Sequence, residues 1–203
     1  MLNIYPEWTM YIYFDNSVPL NTIQQLTQYR GVSLVNMTGS FINSKMSWRF
    51  LVAADTDVER YVVRDIDSRL SLREQAAVDE WIESQKKSHV MRDHSSHSHY
   101  AMCGGRWGGT RDALPNINSL LIQGPMSNVY IEDMNFLDSV VRDIARQSVL
   151  KHDSFSCGIF GAGHPFPSKR VWFKHVGSVY IDRKIRQINI DILKNETLNS
   201  RKC

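Results

Sequence analysis

The sequence lacks a long hydrophobic run, a closely spaced cysteine pair and a dense tract of positive charge. No stretch approaches the roughly 18 apolar residues that a membrane-spanning helix needs, and the first residues do not follow the charged-then-apolar pattern of a signal peptide. We therefore expect no membrane span and a cytoplasmic location. The 24 basic and 21 acidic residues are spread along the chain, so we expect no nucleic-acid partner.

Cysteine is scarce, and its spacing does not suggest a disulfide framework. Cys103, Cys157 and Cys203 are odd in number and far apart, which favours reduced thiols in a cytosol-like compartment. A hydrophobic content of 42% with 22% charged residues is typical of a globular protein. Because no linker composition interrupts the 203 residues, the sequence predicts a single domain over residues 1–203.

Short apolar runs alternate with amphipathic stretches, which predicts an α/β fold. The clearest helix begins at Ser71, which has capping-box spacing to Glu74, and it is expected to end near Ser84. A second helix is predicted from about Asp133, where apolar residues recur at three- and four-residue steps. Residues 152–169 are predicted to form a long loop, a candidate wall or lid of an active site. The predicted strands are Met10 to Phe14, Val32 to Met37, Arg60 to Arg64, His89 to Met91 and Arg186 to Leu193.

Two acidic residues follow the predicted strand that ends at Arg64. Asp65 and Asp67 are separated by one residue, and residues two apart in an extended chain face the same side. Both carboxylates can therefore face one ligand just beyond a strand, where open α/β sheets bind ligands. A divalent cation suits such a pair, with Arg64 and Arg69 as candidate phosphate partners. The alternative is that one acid caps the next helix and the other is a solvated surface charge.

Five segments occur in the order in which a known family has them: Trp48 to Leu51, Arg64 to Arg69, His89 to His94, Gly104 to Gly108, and Glu132 to Leu137. Together they resemble small GT-A-fold glycosyltransferases, a family that includes the domain with which chlorella viruses glycosylate their capsid protein. The resemblance covers nearly the whole chain. It implies a Rossmann-like nucleotide-sugar-binding domain with a mixed central sheet flanked by helices. Relatives usually begin with a further strand before Tyr5, so we expect that first strand to be absent.

The resemblance also implies an activity. The expected reaction is metal-dependent transfer of a hexosyl or deoxyhexosyl group, with retention, from a UDP- or GDP-sugar to a glycan or glycoprotein. Asp65 and Asp67 would hold Mn²⁺ or Mg²⁺ against the donor's diphosphate. A histidine late in the chain would complete the metal shell, with His152 as the best positional match and His164 and His175 as competitors.

Acidic residues at the start of the second predicted helix match family positions that face the sugar. Glu132 and Asp133 are therefore the catalytic candidates, and simple helix N-terminal charge is the alternative. Lys169 and Arg170 follow the predicted loop and would clamp the diphosphate as the loop closes, unless they are surface cations. The complete predicted donor-binding set is Arg49, Arg64, Ser68, Lys169 and Arg170.

Two further segments are predicted to contact the sugar or the acceptor. Asp93 and His94 begin a polar loop whose three imidazoles fit no standard zinc spacing, so hydroxyl binding is favoured over a zinc or nickel site. A solvated loop without function is the third interpretation. Gly104 and Gly105 would let a ligand approach the backbone, and Trp107 is predicted with equal weight as a sugar-stacking ring or a core residue.

Two other functions compete with the transferase interpretation. A GT-A-like domain without its base-binding strand would act as a non-catalytic glycan-binding or scaffold module. A metal-dependent phosphodiesterase or nucleotide hydrolase would also use paired acids, but it would release sugar phosphate or nucleoside monophosphate. Release of nucleoside diphosphate separates the transferase from both.

Overall fold

Alternating strands and helices are present in the computed structural model, which describes residues 3–42, 44–124, 128–156 and 158–198. The strands are β1 (Met10–Phe14), β2 (Val32–Asn36), β3 (Arg60–Arg64), β4 (Ser88–Arg92), β5 (Arg106–Thr110), β6 (Val149–Asp153), β7 (Tyr180–Ile181) and β8 (Lys184–Ile185). The α-helices are α1 (Leu20–Leu26), α2 (Leu72–Ser84), α3 (Ile117–Gln123), α4 (Glu132–Phe136), α5 (Arg142–Ala145) and α6 (Gln187–Leu198). Turns of 3₁₀ helix cover Lys45–Ala54, Ser95–His97 and Arg146–Ser148, and a π-helical turn, Leu137–Val141, joins α4 to α5.

The central sheet is mixed and has the strand order β3-β5-β4-β6. Strand β5 is antiparallel to both β3 and β4, whereas β4 and β6 are parallel. Strands β3, β4 and β6 therefore run in the same direction. Their carboxyl ends and the start of β5 lie together at one end of the strands. Strands β1 and β2 form a separate parallel pair, and β7 and β8 form a hairpin. The predicted α/β fold with a mixed sheet is confirmed at this level.

Two hydrophobic clusters cover the two faces of the central sheet. Val63 and Val90 belong to one cluster, and their neighbours Val62 and Met91 belong to the other, as the alternation of side chains along a strand requires. Helix α2 packs into the second cluster through Trp81, which is fully buried. The sheet is thus covered on both faces, and the end at which β3, β4 and β6 stop is left open for ligands.

Strand β5 was missed because its sequence is rich in glycine, which is depleted in strands. A Cβ on Gly108 would lie 2.5 Å from the Tyr61 carbonyl oxygen, and one on Gly109 would lie 2.5 Å from the Tyr61 hydroxyl. Glycine is required here because β3 and the Tyr61 ring approach β5 closely. Within β5, Gly108 and Gly109 therefore serve the packing of this strand against β3 and the Tyr61 ring.

The helix predicted from Ser71 is confirmed, and the strand predicted over Arg186 to Leu193 is wrong. The Ser71 hydroxyl accepts a hydrogen bond from the Glu74 amide at 3.2 Å, and α2 follows. Residues of the predicted strand lie mostly in α6, in which Ile190 and Leu193 are buried. Their three-residue spacing gives a helix one buried face, which outweighs the period-two isoleucines that suggest a strand.

The remaining expectations have mixed outcomes. The helix predicted from about Asp133 corresponds to α4, the π-helical turn and α5. Strand β6 was not predicted, and the predicted loop begins only after it. Cys103 is a buried free thiol, whereas Cys157 and Cys203 lie outside the described residues. Among the described helices, none has the length and hydropathy that crossing a membrane requires.

Candidate functional site

A cleft of about 1490 Å³ is lined by the whole of β3, which is an outer strand of the central sheet, and by the residues where β3 ends and β5 begins. The walls of the cleft also include β1 and the start of α6. Nine of the predicted site residues line the cleft: Arg49, Arg64, Asp65, Asp67, Ser68, His94, Gly104, Gly105 and Asp133. Residues far apart in the sequence therefore meet at one concave surface.

Six acidic residues line this cleft, and we call three of them, Asp65, Asp67 and Asp133, the acidic rim. Arg49 joins two of them, because its Nη1 donates to Asp65 and its Nη2 donates to Asp133 Oδ2 at 3.0 Å. Arg106 approaches the second oxygen of Asp65 at 3.6 Å. Asp67 has an exposed side chain with no ion-pair partner among the described residues. One acid is thus free, while the other two are bound to guanidinium groups.

Two glycines shape the acidic rim. A Cβ on Gly104 would lie 2.4 Å from Asp133 Oδ2, and one on Gly105 would lie 2.2 Å from Asp65 Oδ2. Any side chain at either position would collide with a carboxylate. The two glycines were predicted to let a ligand approach the backbone. In the structure they make room for the acids that face the cleft.

Asp133 has an unusual environment for a carboxylate. It lies in the first turn of α4, and its side chain is almost fully buried. Burial raises the pKa of Asp133, the Asp65 charge acts in the same direction, and the Arg49 charge opposes both effects. A carboxylate with a raised pKa inside a cleft is a candidate for a chemical role.

Ser68 and Arg64 line the cleft but are engaged in holding its shape. The Ser68 hydroxyl donates to the Asp65 carbonyl at 2.8 Å and closes the turn that carries both acids. Arg64 donates to Glu74 Oε1 at 2.5 Å and to the Gly105 carbonyl at 3.3 Å. Burial raises the pKa of Glu74, and the Arg64 charge opposes that effect. These contacts fix α2 and the start of β5 relative to β3.

Asp93 and Arg170 lie away from the cleft, contrary to the prediction that they contact sugar and diphosphate. Arg73 donates to both Asp93 oxygens at 2.8 and 2.9 Å, and Arg170 donates to Oδ1 at 2.6 Å. The Ser154 hydroxyl and the Val176 amide each donate at 3.0 Å. Burial acts to raise the pKa of Asp93, but the two arginines outweigh it and lower that pKa. A buried carboxylate with five donors has no oxygen left for a sugar hydroxyl.

Lys169 and Glu132 are also absent from the wall of the cleft. Lys169 is exposed, and Glu132 begins α4 beside Asp133. Trp107 is buried in the hydrophobic core, with edge-to-face contacts to Phe50 and Tyr61 at centroid distances of 5.5 Å. Of its two predicted roles, the structure favours the core position.

His152 does not lie with the aspartates, so its prediction as their metal partner needs correction. It belongs to β6, at the opposite edge of the sheet from β3, and three inter-strand steps place the two strands about 14 Å apart. Its ring contacts His89 Nε2 at 2.8 Å and Glu80 Oε2 at 3.2 Å. Its competitor His164 pairs with it in a β-bridge on the same edge. Sequence position therefore misidentified a histidine of the protein interior as a ligand.

The competing histidine, His175, packs with His94 and His97 in a buried cluster. The ring centroids are 4.5 to 5.5 Å apart. Burial lowers the pKa of all three imidazoles, with nearby positive groups adding to the effect. Within the described part of the chain, no group of three His, Cys, Asp or Glu side chains converges to hold a metal ion.

The acidic rim does suit a different mode of metal binding. Mg²⁺ is commonly held by one or two carboxylates together with substrate phosphates and water, without an all-protein cage. Asp65 and Asp67 offer two carboxylates that border a cleft large enough for such a substrate. The donor set therefore fits a hard divalent ion that binds jointly with a phosphate ligand.

Several cleft residues were not predicted to have a site role. Arg106 contacts Asp65, and Tyr11, Tyr13 and Tyr130 contribute aromatic surface. The signal for Arg106 was its place next to Gly104 and Gly105 in a segment that had been singled out for its glycines. The tyrosines carried no local signal, because only the fold brings β1 to the cleft.

No protein-family model matches this chain, and no curated protein or solved structure matches it either.

Proposed function

We propose that this protein is a metal-dependent glycosyltransferase with a GT-A-like fold, which moves a sugar from a nucleotide-diphosphate donor to a glycan or glycoprotein. One observation carries the proposal: Asp65 and Asp67 follow the carboxyl end of β3, and both line the same large cleft. Ligands of open α/β sheets bind at that end of the strands. The resemblance of the five sequence segments to GT-A enzymes supports the same reaction class.

The reaction requires stabilisation of a departing nucleoside diphosphate. A bound Mn²⁺ or Mg²⁺ supplies this by neutralising charge on the leaving oxygen. Asp67 has a free carboxylate for the ion, and Asp65 has two oxygens that now face guanidinium groups. Arg49 and Arg106 are the cations of the cleft that contact the rim, so they are the proposed phosphate partners.

Asp133 is the proposed acid that faces the reacting sugar. Arg49 fixes its orientation through the contact at 3.0 Å, and Gly104 leaves room for its carboxylate. A carboxylate in this position can stabilise positive charge at the anomeric carbon or orient the acceptor hydroxyl.

The size and lining of the cleft support a ligand larger than a diphosphate. Ligand pockets commonly measure about 300 to 1,000 Å³, so a cleft of about 1490 Å³ has space for a donor and part of an acceptor. Tyr11 and Tyr13 of β1 supply an aromatic wall on which a nucleotide base can rest.

The first test measures nucleoside diphosphate release from UDP- and GDP-sugars with and without Mn²⁺. We expect metal-dependent release, and we expect Asp67→Ala to reduce it at least about 100-fold because the metal contributes several kcal/mol to the transition state. The melting temperature should change little, since the Asp67 side chain is exposed. Asp57→Ala is the matched control, because Asp57 is another exposed aspartate of the same cleft.

Three results would contradict the proposal. Full metal-dependent turnover by Asp67→Ala would remove the role of that acid. Release of nucleoside monophosphate would indicate a phosphodiesterase. Binding of a glycan without turnover of any nucleotide sugar would favour the non-catalytic module.

A further inference from the structure

We propose that Arg49 is the counter-cation of the acidic rim when no ligand is bound. A divalent ion then binds tightly only when a diphosphate becomes the partner of Arg49 in place of Asp65. This inference rests on the proposed function and adds a binding order to it. Arg49 would act as a positioning residue that exchanges partners during donor binding.

Both oxygens of Asp65 face a guanidinium group. Arg49 Nη1 donates to Oδ1, and Arg106 Nη1 lies 3.6 Å from Oδ2. A metal ion that uses Asp65 must therefore displace one of these cations or accept like-charge repulsion from both. Asp67 alone offers a single carboxylate, which is a weak ligand for a divalent ion in water.

The charges of the rim also favour joint binding of the divalent ion and the diphosphate. The rim contains three carboxyl groups, and the guanidinium groups of Arg49 and Arg106 contact two of them, so its acidic groups outnumber their basic partners by one. A diphosphate alone meets an already negative surface, and a divalent ion alone meets two cations. When both bind together, the ion neutralises the phosphates and the phosphates accept the guanidinium groups.

Arg49 has the geometry for such an exchange. Its Nε donates to the Met46 carbonyl at 2.7 Å and its Nη2 donates to Asp133 at 3.0 Å, so two contacts besides that to Asp65 keep the guanidinium near the rim. The Nη1 end faces Asp65, whose side chain is 34% exposed, so that contact is open to replacement. The planar fork of arginine matches phosphate oxygens as well as carboxylate oxygens.

Gly104 and Gly105 direct the change to the arginine. Their backbones lie so close to the carboxylates of Asp133 and Asp65 that a Cβ would overlap with them, so those acids are confined on that side. Arg49 has a long side chain and the acids have short ones. Displacement of the guanidinium therefore costs less than displacement of the carboxylates.

The experiment compares wild type with Arg49→Gln in two titrations. Free Mn²⁺ is measured by electron paramagnetic resonance without nucleotide, and binding of UDP or GDP at saturating Mn²⁺ is measured by calorimetry. We expect Arg49→Gln to bind Mn²⁺ alone on the order of tenfold more tightly, because a nearby positive charge is gone. We expect it to bind the Mn²⁺-nucleotide on the order of tenfold more weakly, because a phosphate partner is gone.

The opposite signs of the two changes are the diagnostic result, since a variant that merely distorts the cleft would weaken both. Lys45→Gln is the matched control, because Lys45 lines the same cleft but pairs with Asp15 at 2.6 Å. It should leave Mn²⁺ binding unchanged. Arg49→Lys keeps the charge without the fork, so it should leave binding of Mn²⁺ alone near wild type and weaken nucleotide binding.

The outcomes separate this inference from the proposed function. If wild type binds both ligands and Arg49→Gln binds Mn²⁺ alone no more tightly, the inference is overturned and the proposed function stands. If wild type binds neither Mn²⁺ nor its nucleotide complex, both are overturned.

Discussion

A methyl group at position 105 is the smallest change that tests the geometry of the acidic rim. In Gly105→Ala, the new Cβ would lie 2.2 Å from Asp65 Oδ2 and 2.7 Å from the Asp65 backbone nitrogen. Non-bonded heavy atoms prefer about 3.5 Å or more, so about 1 Å of separation is needed. The Asp65 side chain can rotate, but its backbone nitrogen can move only together with the end of β3.

The expected cost is that of an overpacked site, about 1 to 3 kcal/mol. For a chain of this length each kcal/mol lowers the melting temperature by about 2 to 4 °C, so a mid-range cost of about 2 kcal/mol predicts a loss of about 4 to 8 °C. Calorimetric unfolding measures this shift. Nucleotide binding in the presence of Mn²⁺ should weaken as well, because Asp65 must move.

Gly39→Ala is the control for this variant. Gly39 has a φ of +81° and a Cβ added there would meet nothing within 4 Å, so its substitution costs only backbone strain of about 1 kcal/mol. It should leave nucleotide binding unchanged. If Gly105→Ala melts and binds nucleotide like wild type, the start of β5 does not press on Asp65 and the proposed shape of the rim is wrong.

Two further predictions concern stability. Burial, with help from neighbouring positive groups, lowers the pKa of His175 to about 3, whereas the unfolded chain binds that proton near 6.5. Stability should therefore fall as the pH drops from about 6.5 towards 3, by up to about 1.4 kcal/mol per pH unit for this imidazole, and a urea midpoint that does not fall between pH 7 and 5 would contradict this. Asp93→Asn should cost about 3 to 5 kcal/mol in chemical denaturation because it leaves Arg73 and Arg170 without their buried partner, whereas the exposed Asp112→Asn should cost under about 1 kcal/mol. Equal losses in the two aspartate variants would refute that argument.

Features that depend on neighbouring residues in the sequence could be predicted. Strand β3 and helix α2 were found because an apolar run and a capping box are local signals. The shared location of Asp65 and Asp67 at the end of β3 followed from the same local pattern. Contacts between distant residues gave no such signal. Arg49 and Asp133 are 84 positions apart, and only the fold brings them to one hydrogen bond.

Residue type alone was misleading where several histidines competed for one role. His152 was placed with the aspartates by its position late in the chain, yet the strand order puts it on the far edge of the sheet. The order of strands in a sheet depends on long-range pairing, which a single sequence does not reveal. Strand β5 was missed for a related reason, since Tyr61, the residue for which its glycines make room, lies on another strand.

Two aspartates at the same end of the parallel strands differ in solvent access, and this difference distinguishes a structural ion pair from one that a ligand can replace. Asp65 follows β3 and Asp93 follows β4, and each faces two arginines. The Asp93 side chain has no exposed surface, so its ion pairs cannot be exchanged without opening the protein, and it links β4 to α2 and to the segment that contains Arg170. The Asp65 side chain is one-third exposed and opens into the cleft, where water now screens its ion pairs. An exchangeable ion pair stabilises the fold weakly, and it is therefore the one of the two that a ligand can take over.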